Sequence, residues 1–356
     1  MTQLSRRSFM KIAAVGLAGL GGCQGIEMAT QQAVAVPPAA LLREYELVRL
    51  ACLAANSHNT QPWLFHLEPG CIVVSPDFSR RCEQVDPENH HLWVSLGCAT
   101  ENILQAAPGM GLDASLTLLD EAVRINLRNY AAARPCALAA AIPHRQSTRC
   151  DYDRRPVPAH TLQLLESATR SDSVGISLLT EGPLRRQVEA LVLAANARQL
   201  DSALFRQELR QWLRFNEHDA RTLGDGLFSA CTGNPQVPSW LGNRLFDWFY
   251  TAQSALEPLA RQLHSSSGLI LLHGERHDWW QWFETGRSAQ RLALWITSLG
   301  LKMAFINQPI EVAQTRQQLA TALGLGPRTP EILIRFGYAS PMPTSFRRPI
   351  AAVINV

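Results

Sequence analysis

Asn56-Ser57-His58-Asn59-Thr60-Gln61-Pro62-Trp63 is the stretch from which the rest of the chain is read. Before it, Leu47, Leu50, Leu53 and Ala54 lie on one stripe of an amphipathic helix; after it, Trp63-Leu64-Phe65 has the character of a buried strand. Small polar side chains between a helix and a strand suit hydrogen bonding to a planar heterocycle, because amides, hydroxyls and backbone N–H groups can approach a ring closely. The same residues also suit a plain helix C-cap and turn, with Gln61-Pro62 stopping the helix and Trp63 serving as a core aromatic. Composition alone leaves both readings open.

The pattern S-x-N-x-Q-P-W followed by a hydrophobic residue resembles the flavin-contacting loop of the nitroreductase superfamily. With His58 in the middle, S-H-N-T-Q-P-W is most similar to the Acg-like branch. The resemblance implies an α+β nitroreductase-like fold, with a mixed or antiparallel sheet surrounded by helices. It also implies bound FMN, contacted by Asn56, Ser57 and Asn59.

A second stretch carries charge. Pro143-His144-Arg145-Gln146-Ser147-Thr148-Arg149 contains R-x-S-x-R, followed by Tyr152 and by Pro156-Val157-Pro158. Two guanidiniums bracketing a hydroxyl form a fork suited to a phosphate dianion; a solvated basic loop is the other reading of the same residues. The stretch is similar to the opening motif of ordinary nitroreductases, R-x-S-x-R with an aromatic and a later P-V-P, although Tyr152 falls one place beyond the usual aromatic. That likeness implies that Arg145, Ser147 and Arg149 hold the FMN phosphate. In the usual family member this motif comes first, and the two motifs meet across a homodimer interface. Here the order is reversed within one chain. The expectation is an internally fused pseudo-dimer, 42–140 and 141–356, enclosing one FMN per chain.

Helices are expected near 38–56, 88–110 and 158–170, and strands near 62–67, 71–76, 114–119 and 122–127. Residues 215–250, rich in Gly, Pro and aromatics, are expected to form a lid over the flavin or an aromatic helix pair completing the core. Asp278-Trp279-Trp280-Gln281-Trp282 opens a long helix, and the strand after it ends at Asn307-Gln308-Pro309. This order resembles the family's closing segment and implies that Gln308 lies by its backbone near the flavin's reactive edge. Arg347 and Arg348 resemble a terminal basic pair that reaches back to the phosphate; surface charge is the alternative.

Ser5-Arg6-Arg7-Ser8-Phe9-Met10-Lys11 and the apolar run from Ile12 to Leu20 have the form of a twin-arginine export signal over 1–22, too short to span a bilayer. Leu20-Gly21-Gly22-Cys23 resembles a lipobox, so Cys23 is a candidate membrane tether and 23–41 a linker. The expected location is periplasmic or membrane-anchored, with the twin-arginine translocase as the export partner. Arg6, Arg7 and Lys11 account for the whole formal charge of +3, so the remainder is near neutral and nothing points to nucleic acid. The other seven cysteines are odd in number and lack a C-x-x-C pair, which argues against both a zinc site and a complete disulfide framework. No P-loop, H-E-x-x-H or G-x-S-x-G is present.

The function implied by the resemblance is FMN-dependent two-electron reduction of a small activated acceptor, nitroaromatic or quinone, with the chemistry on FMN and no catalytic side chain. A different class remains beside it. Nicotinamide donors are not expected outside the cytoplasm, so the chain could instead sequester or store flavin. A cofactor-free structural descendant is the third reading.

Overall fold

The computed structural model describes residues 39–355, with 169, 170 and 172 excepted. The twin-arginine leader, Cys23 and nearly all of the linker lie outside the described residues. A 3-10 turn, Ala39–Leu41, leads into helix α1, Leu42–Ala51, which ends five residues earlier than expected. Its last turn closes through short-range bonds from Leu53 N to Leu50 O and Ala54 N to Ala51 O. The carbonyls of Cys52, Leu53 and Ala54 are thereby left without helical partners.

Strands β1 (Trp63–Glu68), β2 (Cys71–Pro76), β3 (Leu112–Leu119) and β4 (Ala122–Asn129) build the first sheet. Along β1, Trp63, Phe65 and Leu67 are buried and His66 is exposed, the alternation of a sheet with one covered face. Helix α2, His90–Ala106, covers that face. It starts two residues later than expected because Asn89 takes a left-handed conformation (φ 60°), while Asp86 Oδ2 accepts Leu92 N at 2.9 Å.

The second sheet comprises β5 (Val174–Leu179), β6 (Gly268–Gly274), β7 (Lys302–Phe305) and β8 (Thr329–Gly337), in the order β5-β6-β8-β7, antiparallel throughout. Every residue of β6 is buried. Leu269 and Leu271 point into one apolar layer, with Val188, Val192 and Leu263 of helices Gly182–Asp201 and Ala252–Ser265. Ile270 and Leu272 point into the layer shared with α2 and helix α3, Trp279–Ser298. A strand covered on both sides has no need to alternate, which is why this one reads as a continuous apolar run.

Helices α2 and α3 cross at reciprocal glycines. A Cβ on Gly97 would lie 2.0 Å from Phe283 O, and one on Gly286 would lie 2.0 Å from Val94 O. The backbones can approach this closely only because neither position carries a side chain. Buried Glu101 accepts from both Arg287 and Arg291 across the crossing, and Gln290 donates to Asn102 Oδ1 at 2.8 Å. At the other end, β9 (Ile354–Asn355) adds in parallel to β1, pairing Ile354 with Phe65, so the last residues complete the first sheet in the order β9-β1-β2-β4-β3.

Residues 215–250 are mostly regular. They form helix Glu217–Leu223, a short parallel pairing of Leu213–Arg214 with Leu227–Phe228, and helix Ser239–Phe249. Phe246 packs with Leu200 and Leu209 in a small satellite core, while Trp240 (68 % exposed) and Trp248 face solvent. The seven described cysteines are all free thiols.

Candidate functional site

The early polar turn and the mid-chain arginine fork come together at the C-terminal end of α1. The carbonyls left over there are filled by guanidiniums. Arg145 Nη2 donates to Leu53 O at 3.2 Å, and Arg347 Nε donates to Cys52 O at 2.8 Å, with longer bonds from Arg347 Nη2 to Leu53 O and Ala54 O. A helix C-terminus carries partial negative charge and favours cations.

That attraction is far smaller than the charge gathered there. Arg145 is 8 % exposed, and its Nε and Nη1 are buried with no hydrogen-bond partner. Burial, then Arg347 and Arg149, pull its pKa from 12.5 down to about 10. Burial likewise lowers Arg347 to about 10, and it lowers Arg149. Among the described residues no carboxylate pairs with any of these three arginines. The acidic groups that act on them are buried thiols and the Tyr152 phenol; burial pushes Cys52 and Cys98 up to about 12 and raises Cys231 and Tyr152 too, so they stay neutral. Three crowded guanidiniums, one with two unused donors, form a cradle for a multiply charged oxyanion such as a phosphate.

Arg335 holds the fork in place from the middle of β8. It is fully buried, donates to Thr148 O and Cys150 O at 3.1 and 2.9 Å, and stacks 4.1 Å over the Tyr152 ring. Ser147 pairs with Met303 of β7, and Thr148 N donates to Met303 O at 2.8 Å. Gln146 exchanges two bonds with Met342 backbone. Sequence reasoning missed Arg335, although a charged residue inside Ile332-Leu333-Ile334-Arg335-Phe336 is itself a signal that a buried partner exists.

The polar turn is strained. His58, Asn59 and Gln61 have φ of 46°, 57° and 54°, three left-handed non-glycine residues within four positions. Its side chains bind mainly other parts of the chain. Asn59 donates to Gly226 O and Phe346 O and accepts from Arg347 Nη1 at 2.6 Å. Gln61 donates to Gly224 O and accepts Arg348 N. Asn56 Oδ1 accepts Gln61 N, which leaves Asn56 inside the turn, and Ser57 N donates to Ser95 Oγ of α2. The turn therefore clamps two later segments, 224–226 and 346–348, over the end of α1. Asp225 pins the first of these through ion pairs to Arg80 and Arg214.

Seven of the nine sequence-expected residues thus converge or adjoin: Asn56, Ser57, Asn59, Arg145, Ser147, Arg149 and Arg347. Arg348 lies along the turn rather than among the guanidiniums, donating to Gln61 O and Ala352 O and lying 3.7 Å from Asp77. Gln308 opens the short helix Gln308–Glu311, with its Oε1 buried and unpartnered, and no described contact joins it to the guanidiniums. His58, whose pKa is held at about 4 by burial, then Arg149, then His91, belongs to the same neighbourhood.

No family model matches this chain. Among solved structures, an FMN-bound nitroreductase from Bacteroides fragilis aligns at a TM-score of 0.36 and 17% identity, over 57% of this chain and 88% of that one. "Putative NAD(P)H nitroreductase acg" of Mycobacterium tuberculosis is 22% identical over 87% of this chain and 94% of its own length. "Putative NAD(P)H nitroreductase Rv3131" of the same organism is 27% identical over 323 residues, 87% of this chain and 90% of its own length. By sequence, then, the chain resembles the nitroreductases of the Acg type along nearly the whole of its described length.

Proposed function

We propose that this chain is an FMN-dependent, nitroreductase-like oxidoreductase, with the phosphate of FMN held by Arg145, Arg149 and Arg347. The observation that carries this reading is Arg145, a buried guanidinium with two unused donors, no described carboxylate partner and two more guanidiniums beside it. A fixed dianion would satisfy those donors and offset the mutual repulsion. The named relatives, matched over nine-tenths of their length, and the strained turn beside the cluster support the same reading.

When bound, FMN would supply two-electron transfer between a donor and an activated small acceptor of the nitroaromatic or quinone class. The chain's own part is placement. Arg335 fixes the fork, Asn59 and Gln61 hold segments 224–226 and 346–348 against the turn, and the aromatic segment 215–250 restricts access as a lid. The reciprocal glycines of α2 and α3 support an internally fused pseudo-dimer with one site per chain. The leader at 1–22 supports export by the twin-arginine route, with Cys23 as a tether.

The test is an absorption spectrum of the purified protein, followed by titration of the stripped protein with FMN and with riboflavin. Bound FMN with flavin bands, and binding of riboflavin weaker by at least about tenfold, are expected, since each charge-assisted phosphate bond contributes about 1.5–3 kcal/mol. A colourless protein that cannot be reconstituted would refute the reading. Oxidation of NAD(P)H with and without a quinone then separates turnover from flavin storage.

A further inference from the structure

Helix Ser239–Phe249 turns two indoles to solvent. Trp240 is 68 % and Trp248 62 % exposed, whereas the other seven of the nine tryptophans are buried or half-buried. Trp240, Arg244 and Trp248 recur at every fourth position, which on a helix makes one stripe. Gly242 and Phe246 form the opposite face. Phe246 packs with Leu200 and Leu209, and a Cβ on Gly242 would meet the Phe215 ring at 2.3 Å. The stripe therefore cannot turn inward without unpacking the helix. At the helix end exposed Phe249 extends it, with its ring edge-on to that of Trp248 at 6.4 Å. A lid role for 215–250 leaves these outward rings unexplained, and large apolar side chains gathered on a surface mark a place of contact.

The charges along the stripe narrow what it can meet. Arg244 is exposed, and among the described residues no carboxylate pairs with it. Asp247, beside the stripe, is held through both oxygens by Arg210 Nη1 at 3.0 Å. The stripe thus presents a guanidinium between two indoles. A second copy of this chain fits it badly, because an isologous contact centred there would press the two Arg244 guanidiniums together. Lipid headgroups fit it well: a phosphate faces the guanidinium, and indoles settle at the boundary between headgroups and acyl chains. Among the described residues no helix is long and apolar enough to cross a membrane, so the helix would lie along the surface. Fifteen residues, 24–38, separate Cys23 from Ala39, a reach of at most about 55 Å. A body tethered at Cys23 would meet the bilayer at high effective concentration, where a weak surface suffices.

We propose that the Trp240–Arg244–Trp248 stripe is a membrane-docking surface, which lays helix Ser239–Phe249 along the headgroup layer of a bilayer containing anionic lipid. The inference stands on the stripe itself and not on the flavin reading. The tether would strengthen docking, and the test removes it.

The experiment uses the full chain carrying Cys23→Ser, which cannot be lipidated, and vesicles of phosphatidylcholine and phosphatidylglycerol with acyl chains brominated near the headgroup. Residues 1–38 contain no tryptophan, so quenching of tryptophan emission reports the folded body and not the leader. Quenching that saturates with lipid is expected. The pair Trp240→Phe and Trp248→Phe keeps the rings apolar and is expected to lose most of the quenching. Arg244→Glu keeps both reporters; its quenching midpoint should shift at least about tenfold on anionic vesicles, since each unit of charge at such a surface changes binding about fivefold. On phosphatidylcholine alone the same variant should match the parent. Absence of quenching in the parent, quenching retained by the phenylalanine pair, or an unchanged midpoint in Arg244→Glu each overturns the proposal. A concentration-dependent dimer in sedimentation velocity that Trp240→Ser with Trp248→Ser abolishes would assign the stripe to a second copy and overturn it too.

Discussion

Arg145→Met should make the flavin-free protein more stable and the flavin complex weaker. The depression of Arg145 from 12.5 to about 10 corresponds, at about 1.4 kcal/mol per pKa unit, to about 3 kcal/mol by which burial and the neighbouring guanidiniums disfavour the charged form. Methionine fills similar space without charge and removes only the bond to Leu53 O, which keeps the longer bond from Arg347 Nη2, a loss of about 1 kcal/mol. The flavin-free variant is therefore expected to gain about 1–2 kcal/mol, a rise of a few degrees in Tm. FMN affinity should fall about 10- to 100-fold, so the Tm increment produced by a fixed excess of FMN should shrink by about 1.4–2.8 kcal/mol in stabilisation. Thermal unfolding of both proteins, with and without FMN, reads all four quantities. A variant that is less stable without flavin and shows an undiminished FMN increment would refute the account of Arg145 as a guanidinium awaiting a dianion.

Other substitutions probe the framework. Gly97→Ala and Gly286→Ala should each cost about 3 kcal/mol or more in urea unfolding, and by similar amounts, because each new methyl meets the carbonyl of the opposite helix at 2.0 Å. Asn59→Leu removes the donors to Gly226 O and Phe346 O and the acceptor for Arg347; a loss of about 2–4 kcal/mol and faster proteolysis within 340–348 are expected. The buried pair His90–Glu331 should make stability fall with rising pH. Burial raises Glu331 above its usual 4.5, so its contribution is lost as pH climbs towards its folded pKa; burial lowers His90 below 6.5, so its contribution is lost as pH falls. The two slopes oppose each other between 4.5 and 6.5, which leaves a net decline above about pH 6.5 of at most about 1.4 kcal/mol per pH unit. Denaturant midpoints from pH 6 to 9 should show it, and Glu331→Gln should flatten it.

Much of the architecture could be read along the chain because its elements obey local periodicities. β1 alternates, β6 is a continuous apolar run, and α2 carries Leu92, Leu96, Ala99 and Ile103 on one face. Boundaries went astray where the backbone tightened into short-range turns or a left-handed residue set the helix start: α1 stops at Ala51, with Leu53 and Ala54 bonded three residues back, and α2 waits for Asn89. The aromatic segment 215–250 gave a poor signal because its helices bury only a narrow stripe, leaving Trp240 and Trp248 outside.

By itself the sequence determined the residue chemistry: a short polar turn ahead of Trp63 and a fork of two arginines around Ser147. Their periodicity and turn propensities act over a few residues, so they are legible without a fold. Only the tertiary structure decided what those groups face. It turned Asn59 and Gln61 into clamps on residues more than 160 positions away, brought Arg347 to the end of α1, and buried Arg335 beneath the fork. Burial and charge proximity are sums over the whole packed chain, and no local window of sequence contains them.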